Sequence, residues 1–278
     1  MKLGANCRQC LDKLVHQVAE IATADLELRA EAIEVGLNIL NGKFSYDSVA
    51  PNIATEIHRA IRELTGNPDP YRQMKDKELK MAQRLFKEVR GYYGNDFRSC
   101  VKLSALGNTI DFFKDHHKVS QEMREPTEFA IDNIERIEEK LKRAKKVLYL
   151  ADNTGECFFD LPLVKKIGEA AVVIYVVKGS PIQNDITLEE LRQAGLREEI
   201  GEVISIGDTI GVDFSLASEE FNVQFEQADL VFAKGMGNYE TLSELPVRGK
   251  IAYCLMAKCQ PIADSLKVPL NSYAAMLQ

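Results

Sequence analysis

Between about Cys10 and Arg143 apolar residues recur every three or four positions, as in Leu11, Leu14, Val15, Val18 and Ile21, and again in Ile53, Ile57, Ile61 and Leu64. That spacing places them on one side of a helix, and no convincing strand pattern interrupts this half. Turn-prone stretches, Asn41-Gly42-Lys43, Gly66-Asn67-Pro68-Asp69-Pro70 and Gly94-Asn95-Asp96, divide it into helices of ordinary length. After about Lys145 the period changes. Short β-branched runs, VLYL, AVVIYVV, EVISI, DLVFA and KIAYCL, alternate with amphipathic segments at 157–167, 187–195 and 215–227. Thr187 followed by Glu190 is a capping-box signature for the second segment. The alternation predicts βαβ units around a mainly parallel sheet: a Rossmann-like three-layer α/β/α part at 101–278, preceded by an all-helical subdomain at 1–100.

In open α/β sheets ligands bind beyond the carboxyl ends of the strands, so the residues after each run carry the functional information. Asp152-Asn153-Thr154-Gly155-Glu156 follows the first run, and Lys178-Gly179-Ser180-Pro181-Ile182-Gln183-Asn184-Asp185 the second. Gly207-Asp208-Thr209-Ile210-Gly211 follows the third, and Lys234-Gly235-Met236-Gly237-Asn238 the fourth. Parallel strands would open these loops on one edge, where Asp152, Asn153, Asp185, Lys234 and Asn238 meet. Two carboxylates and an amide oxygen form a hard donor set suited to magnesium or manganese. Glycines at 155, 179, 207, 235 and 237 let backbone N–H groups approach an anion, and Lys234 adds positive charge. Phosphoryl transfer to water needs this combination, because stabilising charge on the transferring group is most of the task. Taken singly, each piece reads equally well as a turn, an N-cap or a helix start. Their recurrence at the same end of successive strands is what points to a site.

Four stretches in order, SALGNTIDF at 104–112, ADNTGE at 151–156, KGSPIQNDIT at 178–187 and KGMGNYETL at 234–242, resemble the metal-dependent damage-control phosphatases, first classed as domain of unknown function 89. The resemblance is to the prokaryotic branch and runs from CRQC at 7–10 to the carboxyl end. It implies a helical subdomain on an α/β layer, with a divalent metal (manganese, cobalt, nickel or magnesium) at the sheet's carboxyl edge. The implied ligands are Asp152, Asn153 and Asp185. Lys234 and Asn238 would face the phosphate beside the amides of Gly155 and Gly235, and Asn108 and Asp111 would reach the pocket from the helical part. The implied reaction is hydrolysis of a small phosphomonoester, a sugar phosphate or a damaged or side-product phosphometabolite. Asp111 or Glu156 would orient or deprotonate the attacking water.

Composition narrows the alternatives. A net charge of −7 argues against a nucleic-acid partner, which would need clustered cations. The start resembles no signal peptide, and the longest apolar run, from Ala170 to Val177, falls far short of the ~20 residues of a membrane helix. A cytoplasmic protein with no membrane partner is expected. Six cysteines are too sparse for a disulfide scaffold. Cys7 and Cys10 supply two of the four ligands of a structural zinc, with Cys100 or His16 to complete it, or are two half-buried thiols; Cys157, Cys254 and Cys259 read as core. The histidines at 16, 58, 116 and 117 all lie in the helical half, against a Ser-His-Asp triad at the sheet edge. Asp152-Asn153-Thr154 lacks the second aspartate of the DxDx[TV] stretch of haloacid-dehalogenase-type phosphatases, which disfavours a phosphoaspartyl route. The alternative from another class, an S-adenosylmethionine- or nucleotide-binding Rossmann-like protein, lacks a GxGxxG turn after its first strand.

Overall fold

The structure, a computed structural model, describes residues 1–4, 6–109, 121, 123–124 and 128–278. Five helices come first: α1 (Cys7–Ala22), α2 (Leu26–Lys43), α3 (Ala50–Thr65), α4 (Arg72–Val89) and α5 (Phe97–Gly107). The period-3.6 apolar positions become their buried faces. Leu11, Val15 and Val18 of α1 meet Ile53, Ile57 and Ile61 of α3 in one core.

Among the described residues seven strands form one sheet: β1 (Phe129–Asp132), β2 (Lys146–Leu150), β3 (Val172–Val177), β4 (Glu202–Ser205), β5 (Leu230–Lys234), β6 (Ile251–Met256) and β7 (Tyr273–Leu277). Their spatial order is β1-β7-β6-β5-β2-β3-β4. Only the β6–β7 pair is antiparallel, so the sheet is mainly parallel as expected. The connecting helices are α6 (Ile134–Leu141), α7 (Cys157–Gly168), α8 (Leu188–Gln193), α9 (Arg197–Ile200), α10 (Glu219–Gln227), α11 (Gly235–Leu242) and α12 (Gln260–Leu266). The Thr187–Glu190 capping box is present at the start of α8.

Both sheet faces are buried, which is why the strands read as continuous apolar runs. Val147 and Tyr149 of β2 face α4, α5 and α7, whereas Leu148 and Leu150 face α10, α11 and α12. On the first face Tyr149 stacks between Tyr175 and Phe232, with ring centroids 5.3 and 5.2 Å apart, because the parallel register sets all three side by side.

Two expectations need correction, the absence of a strand in the first half and the start of the third helical segment. A strand does occur in the first half: β1 pairs with β7. Packing is continuous across residue 100, since Leu79, Leu85 and Val89 of α4 share a core with the sheet; the separate helical core is built from α1, α2 and α3. The third segment becomes helical at Glu219 instead of 215, because Asp213 turns the chain by accepting from Ser215 N and Oγ, and Ser218 caps the helix through Phe221 N.

Candidate functional site

Order β5-β2-β3 places the topological switch point beside β2, whose carboxyl end delivers Asp152. The chain leaving β3 turns back, through Gln183 at φ 46°, and runs antiparallel to the chain leaving β2. Ile186 N donates to Asp152 O at 3.0 Å and Thr154 N to Asn184 O at 2.8 Å. This backbone zipper sets Asn153 opposite Asp185. Asp152, Asn153 and Asp185 are thus brought together by main-chain bonds.

The side chains complete the arrangement. Asp152 Oδ2 accepts from Asn108 Nδ2 at 3.0 Å and from Asn153 Nδ2 at 3.1 Å. Both amides also donate to Glu156 Oε1 at 2.7 Å. With both Nδ2 hydrogens committed, Asn153 has its carbonyl oxygen left to offer. Asn108 is fully engaged, because its Oδ1 accepts from Met256 N. Burial, then the nearby Glu156 and Asp185 carboxylates, hold the Asp152 carboxyl well above the usual range. Burial likewise pushes Asp185 up to about 6, against the pull of Lys178, whose Nζ lies 3.5 Å from Oδ2.

These residues sit at one end of a cavity of about 380 Å³, lined there by Asn108, Asp152, Asn153, Asp185 and Lys258. Its other walls come from α1, α3, α11, α12 and the loop after β4, with apolar side chains such as Leu11, Ala54, Ile210 and Met236 beside polar ones such as Asn6, Glu240 and Gln260. Among the described residues no three His, Cys, Asp or Glu side chains form a metal-holding group. The oxygen set here is of a different kind, two carboxylates and one amide oxygen. Crowded carboxylates raised by burial and then by neighbouring acids, beside an amide with only oxygen to give, fit a hard divalent cation.

Lys234 lies elsewhere than the sequence implied. It is fully buried, and its Nζ donates to Glu156 Oε2 at 2.8 Å, Asp160 Oδ1 at 2.7 Å and Ser104 O at 2.9 Å. Burial works against its charge, but Asp160 and Glu156 hold its pKa well above the ordinary value. Lys234 therefore neutralises the floor beneath Asp152 and does not line the cavity. Glu156, 1% exposed, is held below the usual carboxylate range despite burial by Lys234 and Lys258, so it is a poor proton acceptor. Asn238 Nδ2 is taken by Lys234 O and Ala151 O, tying the ends of β5 and β2 together. Gly155 N donates to Glu78 Oε1 at 2.8 Å and is not free for an anion. Gly235, at φ 75°, packs so closely on Asp152 that a Cβ there would lie 1.9 Å from Oδ2. Asp111 lies outside the described residues.

The cation that does line the cavity is Lys258, exposed just past β6 and in no ion pair among the described residues. Sequence reading passed over it because the exit from β6, Met256-Ala257-Lys258, carries none of the glycines that marked the other loops. Glu78 was missed as well. It is buried on α4, reaches both ligand-bearing loops, and burial pushes it up to about 7 despite hydrogen bonds from Asn184 and Gly155. Cys7, Cys10 and Cys259 line the cavity, Cys259 also packing against the core of α10, α11 and α12, whereas Cys100, in the core around α4 and α5, does not join them.

Fold and site together define an α/β protein with an acidic, oxygen-rich cleft at the switch point of its sheet. The chain belongs to the damage-control phosphatase ARMT1-like domain family, matched over residues 4–273. It is 35% identical over 284 residues to the damage-control phosphatase PH1575 of Pyrococcus horikoshii, covering 99% of this chain and 98% of that protein. It is 34% identical over 287 residues to the damage-control phosphatase of Archaeoglobus fulgidus, covering 99% of each. The crystal structure of a DUF89 family protein from P. horikoshii matches it with a TM-score of 0.91 at 34% identity, covering 100% of this chain and 99% of that one. Family membership supports phosphatase activity. No helix among the described residues is long and apolar enough to cross a membrane.

Proposed function

We propose that this chain is a metal-dependent phosphatase of small phosphomonoesters. The observation that carries the reading is the backbone zipper that sets Asp152 and Asn153 against Asp185 on the wall of a cavity whose lining also includes apolar side chains such as Leu11, Ala54 and Met236. Asp152, Asn153 and Asp185 would hold the cation, which when bound polarises phosphoryl oxygens and lowers the pKa of water. Lys258 faces the same end of the cavity and meets the negative charge of the phosphoryl group. Asn108 and Glu156 keep Asp152 and Asn153 in place through four hydrogen bonds, and Lys234 keeps Glu156 charged. The apolar part of the lining takes the alcohol portion of the ester and excludes water around it.

The test is a screen of phosphometabolites, sugar phosphates included, using chelator-stripped protein resupplied with manganese, cobalt, nickel or magnesium. Activity should appear only with metal. Asp152→Ala and Asp185→Ala should each lower it at least about 100-fold, the scale of losing one preorganised charge-stabilising group. The melting temperature of Asp152→Ala should hold or rise, because like-charge crowding is relieved, whereas Asp185→Ala should lose some stability, because it leaves the buried Lys178 without its carboxylate partner. Undiminished hydrolysis in chelator, or in either variant, would defeat the reading.

A further inference from the structure

Cation binding requires Asp152 and Asn153, on one loop, to keep a fixed separation from Asp185 on another. Main-chain bonds already tie the two loops together, and a side chain that spans both would stiffen that separation further. One side chain of the helical half touches both. Glu78, 1% exposed on α4, accepts from Gly155 N through Oε1 at 2.8 Å and from Asn184 Nδ2 through Oε2 at 3.0 Å. Gly155 lies two residues past Asn153, and Asn184 immediately precedes Asp185. The approach is close: a Cβ on Gly155 would lie 2.9 Å from Glu78 Cγ and 3.0 Å from Ala82 Cβ. An acid so near Glu156 is unfavourable on repulsion alone, and an apolar side chain would fill this helix position without it.

From this geometry we infer that Glu78 is a positioning residue: it bridges the two ligand-bearing loops and thereby sets the site's affinity for its divalent cation. The inference rests on the metal reading above. Groups that brace metal ligands from outside characteristically govern affinity by 10–100-fold.

The experiment is calorimetric titration of metal-stripped protein with Mn²⁺. Glu78→Ala should weaken binding about 10- to 100-fold. Glu78→Gln should stay within about threefold of the parent, because its Oε1 still accepts from Gly155 and a flipped Asn184 amide accepts from its Nε2. Asn184→Ala, which removes one arm at a partly exposed position, should fall between them and serves if Glu78→Ala does not fold. Asp208→Asn, which removes the charge from the Arg59 contact between α3 and the loop after β4, should lower stability slightly without changing affinity. Equal Mn²⁺ affinity in Glu78→Ala, Asn184→Ala and parent overturns the inference while leaving the metal reading intact. So does an affinity loss in Asp208→Asn matching that in Glu78→Ala. A parent that binds no Mn²⁺ removes the metal reading and this inference with it.

Discussion

Lys234 and Lys258 leave neighbouring strands, β5 and β6, at the same edge of the sheet, yet they stand in opposite environments. Lys234 is enclosed in a dry box with Glu156, Asp160, Ser104 and, through Ser104, Tyr149. Lys258 lines the cavity exposed and in no direct ion pair among the described residues, its charge reaching Asp152 and Glu156 only from a distance. The contrast teaches that a lysine inside a family-like motif supports the site through charge balance, whereas the one able to meet a ligand follows an unremarked strand. The box makes the acids beneath Asp152 tolerable. Exposure leaves charge available for a guest.

The strongest way to break this comparison is Lys234→Met, which keeps volume and strands two buried carboxylates. Removing one partner of a buried pair costs about 3–5 kcal/mol, a large share of a typical total stability. Urea denaturation should show that loss, and a variant as stable as the parent would empty the box of its assigned role. Next in size is Lys258→Ala. Its stability should stay within about 0.5 kcal/mol of the parent, while kcat/KM falls about 10- to 100-fold, the worth of a charge-assisted hydrogen bond. An unchanged kcat/KM would deny Lys258 its contact with the phosphoryl group.

A pH-dependent effect, spread over several pH units, sharpens the comparison with a buried group that forms no ion pair among the described residues. His58, 1% exposed in α3, is pushed down to about 3, first by burial and then by Arg62. The unfolded chain takes up that proton first, so the stability this group contributes is complete above pH 6.5 and is lost as pH falls toward 3. The loss is about 1.4 kcal/mol per pH unit in that window. Relative to His58→Leu, the parent should lose stability progressively on acidification from pH 6.5; parallel stability curves would show His58 to be charged or solvated in the fold.

Strands β2, β3, β5 and β6 were legible because each is a run of residues mostly buried on both faces, and the half-buried β4 because its Val203 and Ile204 form a β-branched pair. β1 and β7 were not, since FAID is four residues long and YAAML is rich in alanine. Their pairing with each other and with β6 makes them strands, and no local pattern carries that information. Asp152 and Asn153 could be read because they follow β2 almost directly, and Asp185 because it lies in the loop that leaves β3. Glu78 and Lys75 read as ordinary polar members of an amphipathic helix, yet α4 turns both inward, Lys75 to pair with Asp69 and Glu190. Side chains that reach across the interface between the helices and the loops leave no periodic trace in a single sequence.

Gly235 shares one small volume with the Asp152 carboxylate, and its backbone lies where L side chains are strained. The two positions therefore behave as a single heritable unit. Even a methyl group on the far loop would displace the carboxylate that receives the ion, although residue 235 itself bears no functional atom beyond its backbone. Mutational drift is barred at a site that sequence chemistry alone would score as neutral, and in engineered libraries diversity at 235 should collapse back to glycine wherever Asp152 is required.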